Sequence, residues 1–240
     1  MSRPGKFLRS PILCYVTDRK DLASEDNHQN RALLKRIAIA AAAGVDWIQV
    51  REKDLSAKEL CSLTGDAVAQ TKKINERGGR ASRILVNERL DVARSEHAGG
   101  VHLGEHSLPV HDVCKWLAAS PNFDERDKFL VGVSCHSVQA AASAARGGAD
   151  YIFFGPVFAT PSKAPFGAPP GLQRLAEACG CVSIPVLAIG GITVDNASDC
   201  VAAGAGGIAA IRLFQDAKNL ASVVTELRAK LTFTKAEECS

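Results

Sequence analysis

The sequence predicts a (β/α)8 barrel, because short apolar segments alternate with helical segments eight times along the chain. The apolar segments are continuous and do not alternate with polar residues, which is typical of parallel strands buried on both faces. No linker and no change in composition divides the 240 residues. We therefore predict a single domain over 1–240, with the barrel at about 11–232 and a short polar tail after it.

The strands are predicted from runs of β-branched and other apolar residues, at 12–16, 46–50, 83–87, 101–103, 131–134, 151–154, 185–189 and 208–211. The helices are predicted from apolar residues at helical spacing, at 30–43, 56–74, 137–146, 172–178, 193–203 and 220–231. Ser56 and Glu59 have the spacing of a capping box at the start of the second helix. A doubly wound sheet is the alternative fold, but the segment at 17–21 lacks its glycine-rich fingerprint.

Composition and charge exclude several classes of function. The chain has 29 basic and 26 acidic residues, and a net charge of +3 gives no electrostatic reason to expect a nucleic acid partner. No apolar run approaches the roughly 20 residues that span a bilayer, and the N-terminus lacks the apolar core of a signal peptide. The eight cysteines lack the spacing of a disulfide framework or a zinc site. We expect a cytoplasmic protein with buried, reduced thiols.

Polar side chains are concentrated where the predicted strands end, which is the end of a barrel that carries the active site. After the second strand, Gln49, Arg51 and Lys53 occupy alternate positions, so an amide and two cations could converge on one anion. A solvated, charged loop is the alternative interpretation. Three further strand ends carry polar residues: Asn87 and Glu88 at the third, His102 and Ser107 at the fourth, and Ser134 and His136 at the fifth.

Two later connections have features of phosphate sites. The connection at 155–170 contains five of the ten prolines and includes Thr160, Ser162 and Lys163, whose hydroxyls and ammonium suit phosphate oxygens. Gly190 and Gly191 follow the seventh strand, and Ile211 and Arg212 follow the eighth. Barrel enzymes often bind a phosphate group between these two loops, although a glycine pair also occurs in a simple tight turn. Small phosphorylated molecules are therefore the expected substrates.

Seven segments, in order along the chain, resemble the thiamin phosphate synthase and TenI family. They are Val16-Thr17-Asp18-Arg19, Gln49-Val50-Arg51-Glu52-Lys53, Asn87-Glu88-Arg89-Leu90-Asp91, Gly100-Val101-His102-Leu103-Gly104, Gly132-Val133-Ser134-Cys135-His136, Gly155-Pro156-Val157-Phe158-Ala159-Thr160-Pro161-Ser162-Lys163 and Ala188-Ile189-Gly190-Gly191-Ile192-Thr193. The likeness extends from about residue 12 to about residue 215.

The resemblance implies a TIM barrel that joins a hydroxymethylpyrimidine diphosphate to a thiazole phosphate and releases diphosphate. It assigns the diphosphate to Gln49, Arg51, Lys53, Thr160, Ser162 and Lys163. It places Asn87 and Ser134 in the same pocket, and the thiazole phosphate at Gly190, Gly191, Ile211 and Arg212. His102, at the fourth strand end, is expected to bind substrate as well. The reaction implied is dissociative: diphosphate leaves, a pyrimidine cation forms, and the thiazole nitrogen captures it. Such a reaction depends mainly on charge neutralisation at the leaving group.

The sequence departs from the synthase pattern at the two positions implied to bind Mg²⁺. Glu88 stands where the family has aspartate, and Ser107 stands where it has a second aspartate. Ser162 replaces a threonine, and Arg212 replaces a small hydroxyl residue. We expect Mg²⁺ at an incomplete site, with Glu88 as its one strong ligand and Ser107 as a weak one.

These departures leave three hypotheses for the function. A synthase is favoured by its set of cations and hydroxyls, which an enzyme acting on the thiazole alone would not need: Arg51, Lys53, Thr160, Ser162 and Lys163. A TenI-type thiazole tautomerase is favoured by Glu88 and Ser107 in place of the two aspartates and by His136, which would be its acid and base. The third is a regulatory protein that binds thiazole phosphate without turnover. A homo-oligomer is compatible with the sequence, and neither nucleic acid nor a membrane is expected as a partner.

Overall fold

The computed structural model describes residues 10–22, 29–104, 107–120, 129–159 and 170–231. Eight parallel strands form a closed barrel in which each strand pairs with the next and β8 pairs with β1. The strands are β1 Ile12–Val16, β2 Trp47–Val50, β3 Arg83–Asn87, β4 Gly100–Leu103, β5 Leu130–Cys135, β6 Tyr151–Phe154, β7 Val186–Ile189 and β8 Gly207–Ala210. The predicted single-domain barrel is confirmed, and the doubly wound alternative is wrong. The polar tail lies outside the described residues.

Helices follow the strands and cover the outside of the barrel. They are α1 Gln29–Ala42, α2 Ala57–Asn75, α3 Leu90–Ser95, α4 Val110–Ala119, α5 Val138–Arg146, α6 Gly171–Gly180, α7 Ala197–Ala202, α8 Arg212–Gln215 and α9 Leu220–Lys230. A single 3-10 turn, Arg19–Asp21, follows β1. The sequence did not locate α3, α4 or α8, because α3 and α8 are too short to show a helical period and α4 buries only two apolar residues.

Local hydrogen bonds set where two of the helices begin. At α2 the Glu59 backbone N–H donates to Ser56 Oγ at 3.3 Å, and the Ser56 N–H donates to Glu59 Oε2 at 2.9 Å, so the predicted capping box is confirmed. The predicted start of α7 at residue 193 is wrong. There Thr193 and Asn196 exchange side-chain to backbone hydrogen bonds in a turn, and the helix begins only at Ala197.

The core has two layers, as expected of strands that are buried on both faces. Along β1, Ile12, Cys14 and Val16 belong to the inner cluster, whereas Leu13 and Tyr15 belong to the outer cluster beneath the helices. The inner cluster also contains Leu85, Tyr151, Phe153, Leu187 and Ala209. The barrel is thus filled by side chains below its mouth, which confines any ligand to the strand ends.

The described cysteines are all free thiols, as the sequence predicts. Their expected burial is confirmed at Cys14, Cys135 and Cys200 but not at the other four, which are half-buried or exposed at Cys61, Cys114, Cys179 and Cys181. None of the helices in the described ranges is long and apolar enough to cross a membrane.

Candidate functional site

The carboxyl ends of the strands meet at one mouth of the barrel, because all eight strands are parallel. Each described residue of the expected site lies in the last residues of its strand or in the segment directly after it, as the sequence predicts. Thr160, Ser162 and Lys163 lie outside the described residues. The site is therefore built here from β2, β3, β4, β5, β7 and β8.

The end of β2 brings two of the expected ligands together below the mouth. Gln49 is buried, and its amide Nε2 donates to Asn87 Oδ1 on β3 at 3.1 Å. Because β2 ends at Val50, strand alternation sets the direction of Gln49 but not that of Lys53, which lies exposed in the following turn. Of the three, only Gln49 lies inside the strand, so the expectation that Gln49, Arg51 and Lys53 share one face stays a prediction.

A buried network that the sequence analysis missed fixes the loop after β2. Glu52 is 5% exposed, and its Oε1 accepts from the Thr17 hydroxyl at 2.5 Å. Its carboxylate also accepts from the Arg19 backbone N–H, and the Arg51 N–H donates to Thr17 Oγ1 at 3.0 Å. Burial raises the pKa of Glu52, against the opposing effect of these donors. The network joins the β1 and β2 loops and so fixes the backbone on either side of Arg51.

The two cations beside this network are available to a ligand. Arg51 is half-buried and Lys53 is exposed. Within the described part of the chain, neither side chain forms an ion pair or a hydrogen bond, whereas Arg19 next to them is neutralised by Asp54 at 2.9 Å. Two unneutralised cations held at a barrel mouth favour an anionic ligand of at least two charges.

The two positions implied to bind a metal do meet. Ser107 Oγ lies 3.3 Å from Glu88 Oε1, and the Gly104 N–H donates to Ser107 Oγ at 2.9 Å. A Cβ at position 104 would lie 2.6 Å from Glu88 Oε1, so the Glu88 carboxylate would have to move to accommodate a side chain there. Asn87 Nδ2 donates to the other carboxylate oxygen at 3.3 Å. In the described ranges no group of three His, Cys, Asp or Glu side chains is arranged to hold a metal.

His102 lies inside the barrel beneath the mouth. It is 2% exposed, its Nε2 lies 2.9 Å from Ser134 Oγ, and its Nδ1 lies 3.1 Å from the hydroxyl of Tyr151. Burial lowers the pKa of His102 from 6.5 to about 3, so the ring is neutral. The sequence predicts His102 as a ligand of the substrate, but the structure has Ser134 as its polar neighbour toward the mouth. Tyr151 was not singled out in the sequence, although its alternation with Phe153 could have indicated an inward direction.

His136 lies on the exposed side of the mouth, directly after β5. Its Nδ1 bonds to the carbonyl oxygen of Gly155. A carbonyl can only accept, so Nδ1 carries a proton, and in the neutral ring the lone pair is on Nε2. This is the protonation pattern of a base that uses Nε2.

The glycine pair after β7 is required by its backbone conformation and by close packing between two loops. Gly190 and Gly191 have φ values of +96° and +66°, in the left-handed region that favours glycine. A Cβ on Gly190 would lie 2.5 Å from the Cβ of Pro156, and one on Gly191 would lie 2.7 Å from that of Phe158. The pair thus lets the loop after β6 pack closely against the loop after β7.

The same loop is also suited to an anion. The Gly191 N–H forms no hydrogen bond to any described residue. Ile211 and Arg212 follow β8, the neighbour of β7 in the barrel, and the Arg212 side chain is exposed without an ion-pair partner among the described residues. A backbone donor and a guanidinium at adjacent strand ends match the phosphate site predicted from the sequence.

Comparison with known proteins decides which barrel family this is. The family model described as thiamine monophosphate synthase matches residues 13–214. The chain is 43% identical over 188 residues to a putative thiamine-phosphate synthase of Geobacter sulfurreducens, covering 78% of this chain and 82% of the relative. It is 40% identical over 223 residues to a thiamine-phosphate synthase of Methanoculleus marisnigri, covering 93% and 97%. The chain belongs to the thiamine monophosphate synthase family.

Solved structures agree with this assignment. The thiamine phosphate pyrophosphorylase from Pyrococcus furiosus superposes with a TM-score of 0.75 at 28% identity, covering 94% of this chain and 97% of that one. The match to the thiamine monophosphate synthase family includes all the described strand ends named above. The resemblance on which the functional expectations were based is therefore confirmed.

Proposed function

We propose that this protein is a thiamine-phosphate synthase, a transferase that joins hydroxymethylpyrimidine diphosphate to thiazole phosphate and releases diphosphate. Family membership gives the reaction class. The observation that carries the proposal is the pair of cations at the end of β2, Arg51 and Lys53, which no described acidic group neutralises. A leaving diphosphate is an anion that would require both.

The leaving group would be held by the two cations that follow β2. Arg51 and Lys53 stabilise the negative charge that develops as the bond to diphosphate breaks. The family resemblance also assigns Thr160, Ser162 and Lys163, which lie outside the described residues, to the diphosphate, and their hydroxyls and ammonium suit its oxygens. Gln49 and Asn87, already bonded to each other at 3.1 Å, line the deeper part of the pocket.

The thiazole phosphate would bind where β7 and β8 end. The N–H of Gly191 and the guanidinium of Arg212 are the donors proposed for its phosphate group, with Gly190 and Ile211 forming the backbone around it. The pyrimidine cation that remains after diphosphate departs is then captured by the thiazole nitrogen.

The donor set at Glu88 fits Mg²⁺ as a partial site. A carboxylate and a hydroxyl are the hard oxygen donors that Mg²⁺ accepts, and Mg²⁺ commonly takes its other ligands from water and substrate phosphates. Glu88 would hold the ion, with Ser107 as a weaker neighbour at 3.3 Å. When bound, Mg²⁺ neutralises charge on the diphosphate and so makes it a better leaving group.

A specific observation favours the tautomerase as the second candidate. The bond from His136 Nδ1 to the Gly155 carbonyl leaves Nε2 with the lone pair that a proton-transferring base needs. This reaction does not need the cations of β2. The two functions therefore depend on different residues of the same mouth.

Two variants separate these functions in purified protein. Diphosphate release is measured with both substrates and Mg²⁺, and aromatisation of the thiazole carboxylate phosphate is measured separately. For a synthase, Arg51→Ala lowers diphosphate release at least tenfold and His136→Ala changes it far less. Aromatisation that His136→Ala abolishes and Arg51→Ala leaves intact would replace the synthase with the tautomerase. Binding of thiazole phosphate without either turnover would indicate the regulatory protein. A cytoplasmic location and self-association stay predictions.

A further inference from the structure

We propose that Tyr151 is a positioning residue which, acting through His102, makes the Ser134 hydroxyl a hydrogen-bond donor toward the pyrimidine diphosphate. The proposal rests on the proposed function for the identity of the substrate, but not for the direction of the hydrogen bonds. Nothing in the sequence motifs assigns a role to Tyr151, which lies at the start of β6 and far below the mouth.

The three side chains form one line across neighbouring strands inside the barrel. Tyr151 Oη lies 3.1 Å from His102 Nδ1, and His102 Nε2 lies 2.9 Å from Ser134 Oγ. Tyr151 is fully buried, His102 is 2% exposed, and Ser134 is half-buried near the end of β5. The line therefore runs from the closed interior of the barrel toward the mouth.

The barrel is shaped to keep this line in place. Position 132 on β5 must be glycine, since a Cβ there would lie 2.0 Å from Tyr151 Cζ and 2.4 Å from its hydroxyl oxygen. Trp47 packs on the Tyr151 ring at a centroid distance of 4.7 Å, and Phe153 packs on the His102 ring at 4.1 Å. Aromatic contacts thus fix both rings, and only their hydrogen-bond direction remains to be set.

The direction of the hydrogen bond between Tyr151 and His102 follows from where the phenolic proton of Tyr151 can find an acceptor. Within the described residues, His102 is the single hydrogen-bond partner of the Tyr151 hydroxyl. If Nδ1 were the donor, the phenolic proton would be left without an acceptor in an apolar interior, and an unsatisfied buried donor is costly. Tyr151 therefore donates to Nδ1, and the neutral ring carries its own proton on Nε2.

This hydrogen-bond direction determines where the Ser134 hydroxyl proton points at the mouth of the barrel. The Nε2–H group donates to Ser134 Oγ, so the serine oxygen is used as an acceptor and its own proton must point to another group. An acceptor atom of the pyrimidine diphosphate is the ligand this arrangement selects. The opposite direction would have Ser134 donate inward to His102 and present only lone pairs to the substrate.

The ¹⁵N NMR spectrum of the histidine-labelled protein tests the direction without any substrate. The His102 resonances are assigned by their loss in His102→Gln. We expect the Nε2–H tautomer, in which Nε2 shows coupling to its attached proton and Nδ1 is unprotonated. A spectrum with the proton on Nδ1 would overturn the proposal. The spectrum is informative even if the protein proves not to be a synthase.

Steady-state kinetics then tests whether the line acts on the substrate. Tyr151→Phe keeps the ring and is expected to lower kcat/KM for the pyrimidine diphosphate by about tenfold, close to the loss of one hydrogen bond to a charged group. The KM for thiazole phosphate should not change. The control is Tyr15→Phe, which removes another buried hydroxyl, bonded to Gln215 at 2.9 Å outside the barrel, and should change kcat/KM less than twofold.

A double-mutant cycle separates positioning from general destabilisation. In a Ser134→Ala background, Tyr151→Phe should have no further effect on kcat/KM, because the group through which it acts is gone. If Tyr151→Phe lowers kcat/KM equally with and without Ser134, the tyrosine supports the fold only, and the proposal is wrong.

Discussion

Replacing Ser107 with aspartate would restore a second carboxylate beside Glu88, and we expect it to tighten Mg²⁺ binding about tenfold. Ser107 Oγ lies 3.3 Å from Glu88 Oε1, so a carboxylate at position 107 would reach the same ion. The Gly104 N–H, which now donates to the serine at 2.9 Å, could donate to the aspartate and hold it in place.

The magnitude follows from Coulomb's law at an exposed site. Two unit charges about 4 Å apart interact by about 1 kcal/mol in water, so a carboxylate and a divalent ion interact by about 2 kcal/mol. Salt screening reduces this to about 1.4 kcal/mol, which is tenfold in affinity. Repulsion between the carboxylates at 88 and 107 is present with and without the ion, so it cancels in the affinity but lowers the stability of the metal-free protein by up to about 1 kcal/mol.

The assay is the Mg²⁺ dependence of the initial rate of diphosphate release, with Ser107→Asn as the matched control. Asparagine has the shape of aspartate without its charge, so it should leave the half-saturating Mg²⁺ concentration near that of the wild type. Chemical denaturation without metal should show Ser107→Asp to be less stable than Ser107→Asn. Equal half-saturating concentrations in the two variants would refute the assignment of this corner of the mouth to Mg²⁺.

Three further predictions concern the mouth and the interior. Arg51→Ala should lower kcat/KM for the pyrimidine diphosphate at least tenfold and leave the unfolding midpoint unchanged. The control, Lys58→Ala, removes an exposed cation on α2 and should leave kcat/KM unchanged. Equal losses of kcat/KM in the two variants would show that only net charge matters. Gly191→Ala should destabilise the protein by about 1–3 kcal/mol in urea denaturation, because φ is +66° and the new Cβ would lie 2.7 Å from the Cβ of Phe158. The control, Gly180→Ala, has open space around the new Cβ and should leave the stability unchanged. The pKa of His102 is about 3 in the folded protein against 6.5 in the unfolded chain, so below about pH 6.5 the unfolded chain takes up a proton that the folded protein does not, and the folded state loses stability as the pH falls. Lowering the pH to 5 should remove about 2 kcal/mol of unfolding free energy that His102→Gln does not lose, and a parallel loss in both proteins would contradict the buried, neutral histidine.

Much of the fold could be predicted because its signals are local. The eight apolar runs and the glycines that end helices are sufficient to indicate a barrel, and the capping box at Ser56 is visible as a spacing of three residues. The start of α7 was missed because the turn at Thr193 depends on hydrogen bonds that compete with the helix. Short helices such as α3 carry too few apolar residues to show a period.

The sequence was sufficient to locate the candidate site, but not to predict the directions and contacts of its side chains. The parallel topology brings strand ends together, so Gln49 and Asn87 could be expected in one place before their hydrogen bond was seen. The roles of Tyr151 and Glu52 could not be predicted, because each depends on contacts between residues on different strands or loops. The burial of His102 beneath Ser134 likewise follows from how the barrel is filled, not from its position at a strand end.

The central claim is that the mouth of this barrel transfers a pyrimidine group from diphosphate to a thiazole phosphate. It is tested most directly by ³¹P NMR of the purified protein mixed with both substrates and Mg²⁺. We predict that free diphosphate and the phosphate ester of the joined product appear in equal amounts, and that neither appears when the thiazole phosphate is left out. Unchanged substrate signals, or diphosphate released without the thiazole phosphate, would contradict the account.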